Sequence, residues 1–199
     1  MAAKHKLICG LDEAGRGALA GPVVAAAVVL RARHNLKGLA DSKILPAAER
    51  ERLAKEIMER AEAWAVAEAS PDEICRINIL QASLLAMRRA FEALGLHADS
   101  TLSVIADGLY YPLGLPVGCA QVKADALVPA VSAAGILAKV HRDGLMRQLQ
   151  EVHPQFAFGR HKGYPTPQHL QELAQHGPLP VHRRTFAPVR ALLQTELEL

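Results

Sequence analysis

The chain has 199 residues, with 23 Lys and Arg against 20 Asp and Glu, and half of it is apolar. A chain of this length suits one domain that can bury roughly 70% of its unfolded surface without staples. The balance of apolar and charged residues excludes wholesale disorder, and the net charge of +3 permits a nucleic-acid partner without arguing for one.

The longest apolar run, residues 18–30, is broken by Gly21-Pro22 and is too short to span a bilayer. No charged-then-apolar leader opens the sequence. Cys9, Cys75 and Cys119 are odd in number and share no C-x-x-C spacing. The expectation is therefore reduced thiols in the cytoplasm, with neither a disulfide framework nor a zinc site.

In chain order, residues 6–12 (KLICGLD) predict a short strand ending in acid. Residues 22–30 (PVVAAAVVL) are continuously apolar and β-branched, the mark of a buried strand. Pro46 at a first helical position, with Leu53 and Ile57 four apart, predicts a helix over 46–60. Residues 63–69 alternate weakly as a third strand. Ser70-Pro71-Asp72-Glu73 forms a capping box opening a helical region that stops near Gly95. Strands are predicted at 101–106 and 117–122, and a helix from about 127 to 152. A polar loop (FGRHKGY) follows, then a helix capped by Thr166 with Pro167 behind it. The order predicts an α/β architecture, a mixed five-stranded sheet flanked by helices, with a helical C-terminal part from about residue 165.

Four acids stand where apolar runs stop: Asp12, Glu13, Asp107 and Asp125. Open sheets place their crevices at strand ends, so acids arriving from three strands can converge there. Converging carboxylates repel unless a cation joins them, and Mg²⁺ prefers oxygen ligands. Any one of these acids alone reads as an ordinary turn residue. Gly15-Arg16-Gly17-Ala18-Leu19-Ala20-Gly21 invites a dinucleotide reading, but Pro22-Val23-Val24 opens a strand where that reading needs a helix. A tight turn whose backbone can approach a ligand closely fits better.

Residues 139–190 hold eight Lys and Arg, namely Lys139, Arg142, Arg147, Arg160, Lys162, Arg183, Arg184 and Arg190. On charge alone such a run reads as a solvated face, with Lys139 and Arg142 as surface charge on a helix. Aromatic residues make up 4% of the chain, too few for a single-strand stacking platform. Trp64, Phe91, Phe156 and Phe186 are expected in the core.

Taken together, Gly10-Leu11-Asp12-Glu13-Ala14-Gly15-Arg16-Gly17 with Gly21-Pro22 resembles the opening signature of the type 2 ribonucleases H, the ribonuclease HII family. The resemblance continues in order through Asp41-Ser42-Lys43, Ala106-Asp107-Gly108, Lys123-Ala124-Asp125, Ala138-Lys139-Val140 with Arg142-Asp143, His161-Lys162-Gly163-Tyr164 with Thr166 and His169, and His182-Arg183 with Phe186. It spans roughly residues 8–189. Ribonuclease HIII resembles the chain less, because it carries an additional N-terminal domain.

The resemblance implies a ribonuclease H-like fold. It also implies an endonuclease that acts on RNA/DNA hybrids and on duplex DNA containing single ribonucleotides. Such an enzyme cuts 5′ of the ribonucleotide and leaves a 3′-hydroxyl and a 5′-phosphate. Asp12, Glu13, Asp107 and Asp125 match the family's metal-binding acids, implying two divalent ions, Mg²⁺ or Mn²⁺. Gly15, Arg16 and Gly17 match the segment that reads the 2′-OH, and Tyr164 matches the aromatic on the neighbouring sugar. Lys43, Lys123, His161, Lys162 and Arg183 are then expected on the substrate backbone. Two positions depart from the family pattern: Ala18 stands where Pro is frequent, and Gly135 where Ser is usual, removing a hydroxyl. The C-terminal QTELEL resembles a sliding-clamp-binding tail without its terminal aromatic, so an amphipathic helix end is expected. A monomer without a membrane partner is expected. The rival readings are a non-catalytic nucleic-acid-binding module of the same fold and a nucleotide-cofactor enzyme.

Overall fold

A strand covered on both faces needs no polar alternation, and that condition explains the run at 22–30. In the computed structural model, which describes residues 7–31, 34–39, 42, 44–96 and 102–197, this run is strand β2 (Val23–Val29). All seven of its residues are buried. Val23, Ala25, Ala27 and Val29 join one apolar cluster, and Val24, Ala26 and Val28 join another on the opposite face.

Strands β1 (Leu7–Ala14) and β3 (Ala63–Ala69) flank β2 antiparallel. Beyond β1, β4 (Leu102–Asp107) and β5 (Gly118–Gln121) add in parallel. The order is β3-β2-β1-β4-β5, the mixed five-stranded sheet that the sequence predicts.

Helices α1 (Ala47–Arg60) and α3 (Pro129–Val152) cover one face of the sheet, through Leu53, Ile57, Ala134 and Ile136 among others. Helix α2 (Pro71–Ala93) covers the other through Ile74, Ala86, Met87 and Phe91. The Ser70 capping box forms as expected: the Glu73 N–H donates to Ser70 Oγ at 3.2 Å, and the Ser70 N–H donates to Glu73 Oε2 at 2.9 Å. The sequence pattern did not show the break within α2 at Asn78, where φ is +67° and ψ is 166°. The Asn78 side chain recaps the second half of the helix by accepting from the Gln81 N–H.

The FGRHKGY segment is not all loop: Phe158–His161 forms one helical turn, α4. Helices α5 (Pro167–His176) and α6 (Ala187–Leu197) follow, with Thr166 Oγ1 accepting from the His169 N–H at the start of α5. A third cluster of Leu19, Ala20, Met146, Phe156, Phe158, Leu173 and Val189 ties these helices to the end of α3. Trp64 departs from expectation. It lies on β3, the edge strand among the described residues, 41% exposed, with its indole N–H on the Met58 carbonyl. Among the described residues, no helix is long and apolar enough to cross a membrane.

Helix α3 lies directly on β1 because residue 10 has no side chain. A Cβ there would meet the backbone of Ala130 and Val131 at 2.2 Å. Gly10→Ala is therefore expected to lower stability by about 2 kcal/mol or more, since backbone cannot swing aside as a side chain can. Urea denaturation of the two proteins measures it.

Candidate active site

The register of two parallel strands sets the first pair of acids. Leu11 of β1 lies opposite Ala106 of β4, so the next residues, Asp12 and Asp107, come side by side where the pairing of these two strands ends. Asp107 lies opposite Gln121 at the end of β5. The chain then turns through Lys123, which takes a left-handed conformation (φ +58°), into a 3₁₀ turn at Ala124–Ala126. The Ala124 N–H donates to Asp107 Oδ1 at 2.8 Å, fixing that carboxylate and placing Asp125 one residue from the anchor.

Asp12, Glu13 and Asp107 line one cleft of about 590 Å³ together with Gly15, Arg16, Gly17, Ser42, Arg50, Lys139 and Tyr164. Of the four acids expected to converge, three line this cleft, and Asp125 stands on the neighbouring 3₁₀ turn. As placed, each carboxylate is turned to a protein partner. Asp12 Oδ1 accepts the Glu13 N–H at 2.7 Å, Glu13 pairs with Arg16 at 3.2 Å, and Asp107 holds Ala124. Among the described residues, no three acids, histidines or cysteines stand close enough to grip an ion as a ready-made cage. The donor set itself is all carboxylate oxygen, which suits a hard divalent cation rather than a soft one.

The glycine turn and Tyr164 form the wall facing the acids. A Cβ on Gly17 would come within 4.0 Å of the Tyr164 ring, so turn and ring are neighbours. Gly15 has φ +95°, and a Cβ there would strike Arg142 Nε at 1.9 Å. Glycine is required at this position on both counts.

Several expected backbone contacts change place. Arg183 is completely buried, with its guanidinium donating to the carbonyls of Gly21 and Arg16, so it does not reach a phosphate. Arg142, expected as surface charge, is also completely buried and donates to the carbonyls of Pro22, Ala20 and Lys162. Burial pushes Arg183 down to about 9, with Arg142 beside it adding to the shift, and it remains a cation at neutral pH. His161 is buried too, its Nε2 on Glu172 and its Nδ1 accepting the Gly163 N–H. Lys162 is half-buried and Lys123 exposed. Lys43 and Asp41 lie outside the described residues.

Lys139, Arg50 and Ser42 were not singled out as cleft residues. Lys139 reaches Asp143 at 2.6 Å and stands 5.9 Å from the Tyr164 ring centre. Arg50 donates to the carbonyls of Ser42 and Leu45. A signal for Arg142 was present: Ala138, Arg142 and Met146 are four apart and continue the buried stripe of α3.

Residues 9–189 match the profile of the Ribonuclease HII family. The chain belongs to that family. It is 54% identical over 189 residues to the ribonuclease HII of Ralstonia nicotianae, covering 95% of this chain and 80% of that one. The ribonuclease H2 structure from Pyrococcus horikoshii OT3 superposes with a TM-score of 0.76 at 26% identity, covering 97% of this chain and all of that one. Bst-RNase HIII in complex with Mn²⁺ shares the fold at 20% identity (TM-score 0.74), covering 98% of this chain and 71% of that one. The protein is thus a ribonuclease H, from a family of endonucleases that use divalent metal ions.

The Tyr164 segment is held from behind by three buried histidines, His161, His169 and His182. The Leu179 N–H donates to His182 Nδ1, so neutral His182 carries its proton on Nε2 and offers it to His169 Nε2 at 3.2 Å. His169 then carries its proton on Nδ1 and donates to the Tyr164 carbonyl at 3.0 Å. Burial, with His169 alongside, pushes His182 down to about 4; burial also lowers His169. The unfolded chain accordingly binds these protons more readily than the native one. Stability from this network is present above about pH 6.5 and is lost as pH falls toward about 4. Thermal melting from pH 7.5 to 4.5 should show this fall, and His182→Gln should flatten it.

Proposed function

We propose that the chain cuts 5′ of single ribonucleotides embedded in duplex DNA, as well as the RNA strand of RNA/DNA hybrids, leaving a 3′-hydroxyl and a 5′-phosphate. One observation carries the reading: Asp12, Glu13 and Asp107 share a cleft with the Gly15–Gly17 turn and Tyr164. Acids able to hold cations thus lie next to backbone able to approach a ribose.

Asp12, Glu13 and Asp107 would hold two divalent ions, Mg²⁺ or Mn²⁺. Asp125, next to the residue that anchors Asp107, would complete the set. Bound there, such ions supply Lewis-acid activation of water and positive charge for the leaving oxygen. The protein's own groups do the selecting. Only a group that touches the 2′-OH can tell ribose from deoxyribose, and the glycine turn brings main-chain donors and acceptors where a side chain would not fit. The Tyr164 ring packs on the next sugar and rejects a hydroxyl there by exclusion. Lys123, Lys162 and Lys43 contact phosphates, which fixes register without reading sequence. The enzyme works as a monomer in the cytoplasm.

A labelled DNA duplex with one ribonucleotide, incubated with Mg²⁺, Mn²⁺ or EDTA and mapped at its product ends, tests the reading. Cutting 5′ of the ribonucleotide with either metal, and none with EDTA, is the expected result. Metal-independent cutting or an intact duplex would refute it. Asp12→Asn should fold normally yet lose at least about a thousandfold in kcat, since it removes a charge at the reacting centre. Tyr164→Ala should weaken the preference for deoxyribose on the 3′ side by about tenfold while moving the urea midpoint little, because one excluded hydroxyl is at stake.

A further inference from the structure

We infer that Arg142 and Arg183, although neither touches substrate, are the positioning residues that aim the glycine turn and Tyr164 at the ribose. The inference rests on the reading of the cleft given above and extends it to two side chains buried behind it.

Both guanidiniums are 0% exposed. Among the described residues, every hydrogen bond they make goes to a main-chain carbonyl. A buried charge with no carboxylate hydrogen-bonded to it is costly. Among the described residues Arg183 Nη2 meets no acceptor, a cost that a role in stability alone does not explain.

The geometry supplies another role. Arg183 Nη1 draws the Arg16 carbonyl inward at 2.8 Å. In a planar trans peptide the carbonyl and the following N–H point in opposite directions. The Gly17 N–H is thereby turned outward, and Gly17 lines the cleft. Arg183 Nε fixes the far end of the turn through the Gly21 carbonyl at 3.0 Å.

Arg142 couples this turn to the Tyr164 segment. Its Nε and Nη2 hold Pro22 and Ala20 at 3.0 and 3.1 Å, while Nη1 holds Lys162 at 2.9 Å. The same guanidinium lies 5.5 Å from the centre of the Tyr164 ring. One rigid fork therefore sets the spacing between the two groups that inspect neighbouring sugars. A lysine ammonium keeps the charge and cannot reproduce that fork.

Arg142→Lys and Arg183→Lys test this, with kcat and KM measured on a single-ribonucleotide duplex and cutting of the all-DNA duplex of the same sequence as the comparison. For each variant kcat on the ribonucleotide duplex should fall about tenfold, the worth of one misaimed hydrogen bond, with KM changed little. The ratio of ribonucleotide to all-DNA cutting should fall with it, and the Mg²⁺ concentration for half-maximal rate should stay put. A purely structural role would scale every rate with the folded fraction and leave the ratio alone. A folded variant with the wild-type ratio overturns the inference.

Should neither variant fold, the wild-type protein still decides. With ¹⁵N label and EDTA, the ribonucleotide duplex should shift and protect the Gly17 N–H, and the all-DNA duplex should not. An equal response to the two duplexes overturns the inference. A wild-type enzyme that cuts no ribonucleotide-containing duplex removes the underlying reading as well. Ribonucleotide cutting with an unchanged ratio in the variants removes the inference alone.

Discussion

Helix α3 can lie against the backbone of β1 only because glycine stands at the contact, and the rest of the site depends on that approach. A Cβ at residue 10 would enter the helix backbone, and one at residue 135 would sit 2.3 Å from Asp12 Oδ2. The helix therefore seats the first acid from above while its next turns carry Lys139 into the cleft and Arg142 beneath the glycine turn. Gly135 costs up to about 1 kcal/mol of helix propensity against alanine. What it gains is room for the Asp12 carboxylate.

The parallel pairing of β1 with β4 is the second constraint. A shift of one residue in this register would turn Asp107 to the opposite face from Asp12. The close approach of α3 and the hydrogen bond from Ala124 to Asp107 act on either side of that pair. The acids are thereby set by regular secondary structure, which holds side chains more rigidly than loops do.

Most of the fold was legible in the sequence because its signals are local. The buried β2 run, the Ser70 capping box and the Thr166 cap each depend on a few adjacent residues, and each appears where expected. The acids were legible as strand-end residues, and the glycine turn was legible because Pro22 opens a strand. What was not legible depends on the partner across space. Arg142 and Arg183 stand in a basic stretch that reads as surface charge, yet all but one of their acceptors lie some 120 to 167 residues away in the chain, the Lys162 carbonyl being the exception. Nothing near them in sequence signals a carbonyl waiting in the interior. The left-handed turn at Lys123, which sets the 3₁₀ turn carrying Asp125, is not encoded in apolar patterning. Trp64 was misplaced because β3 proved to be an edge strand, a fact of sheet order rather than of composition.

The wall opposite the acids has a different construction. Its working parts, the turn and the Tyr164 segment, are irregular backbone, and irregular backbone keeps a shape only if its polar groups are bonded. Buried arginines answer the carbonyls of residues 16, 20, 21, 22 and 162. Neutral histidines answer the Tyr164 carbonyl and the Gly163 N–H. Main-chain pairing of Leu19 with Gly163 and of Arg183 with Leu19 closes the remaining gap. The choice of side chains follows from what each must do. The arginines bring several donors in one plane to a cluster of acceptors. The histidines bring a donor and an acceptor on one ring without adding charge to an interior that already holds two cations. A wall built this way holds backbone groups in the cleft between the Arg16 and Tyr164 side chains.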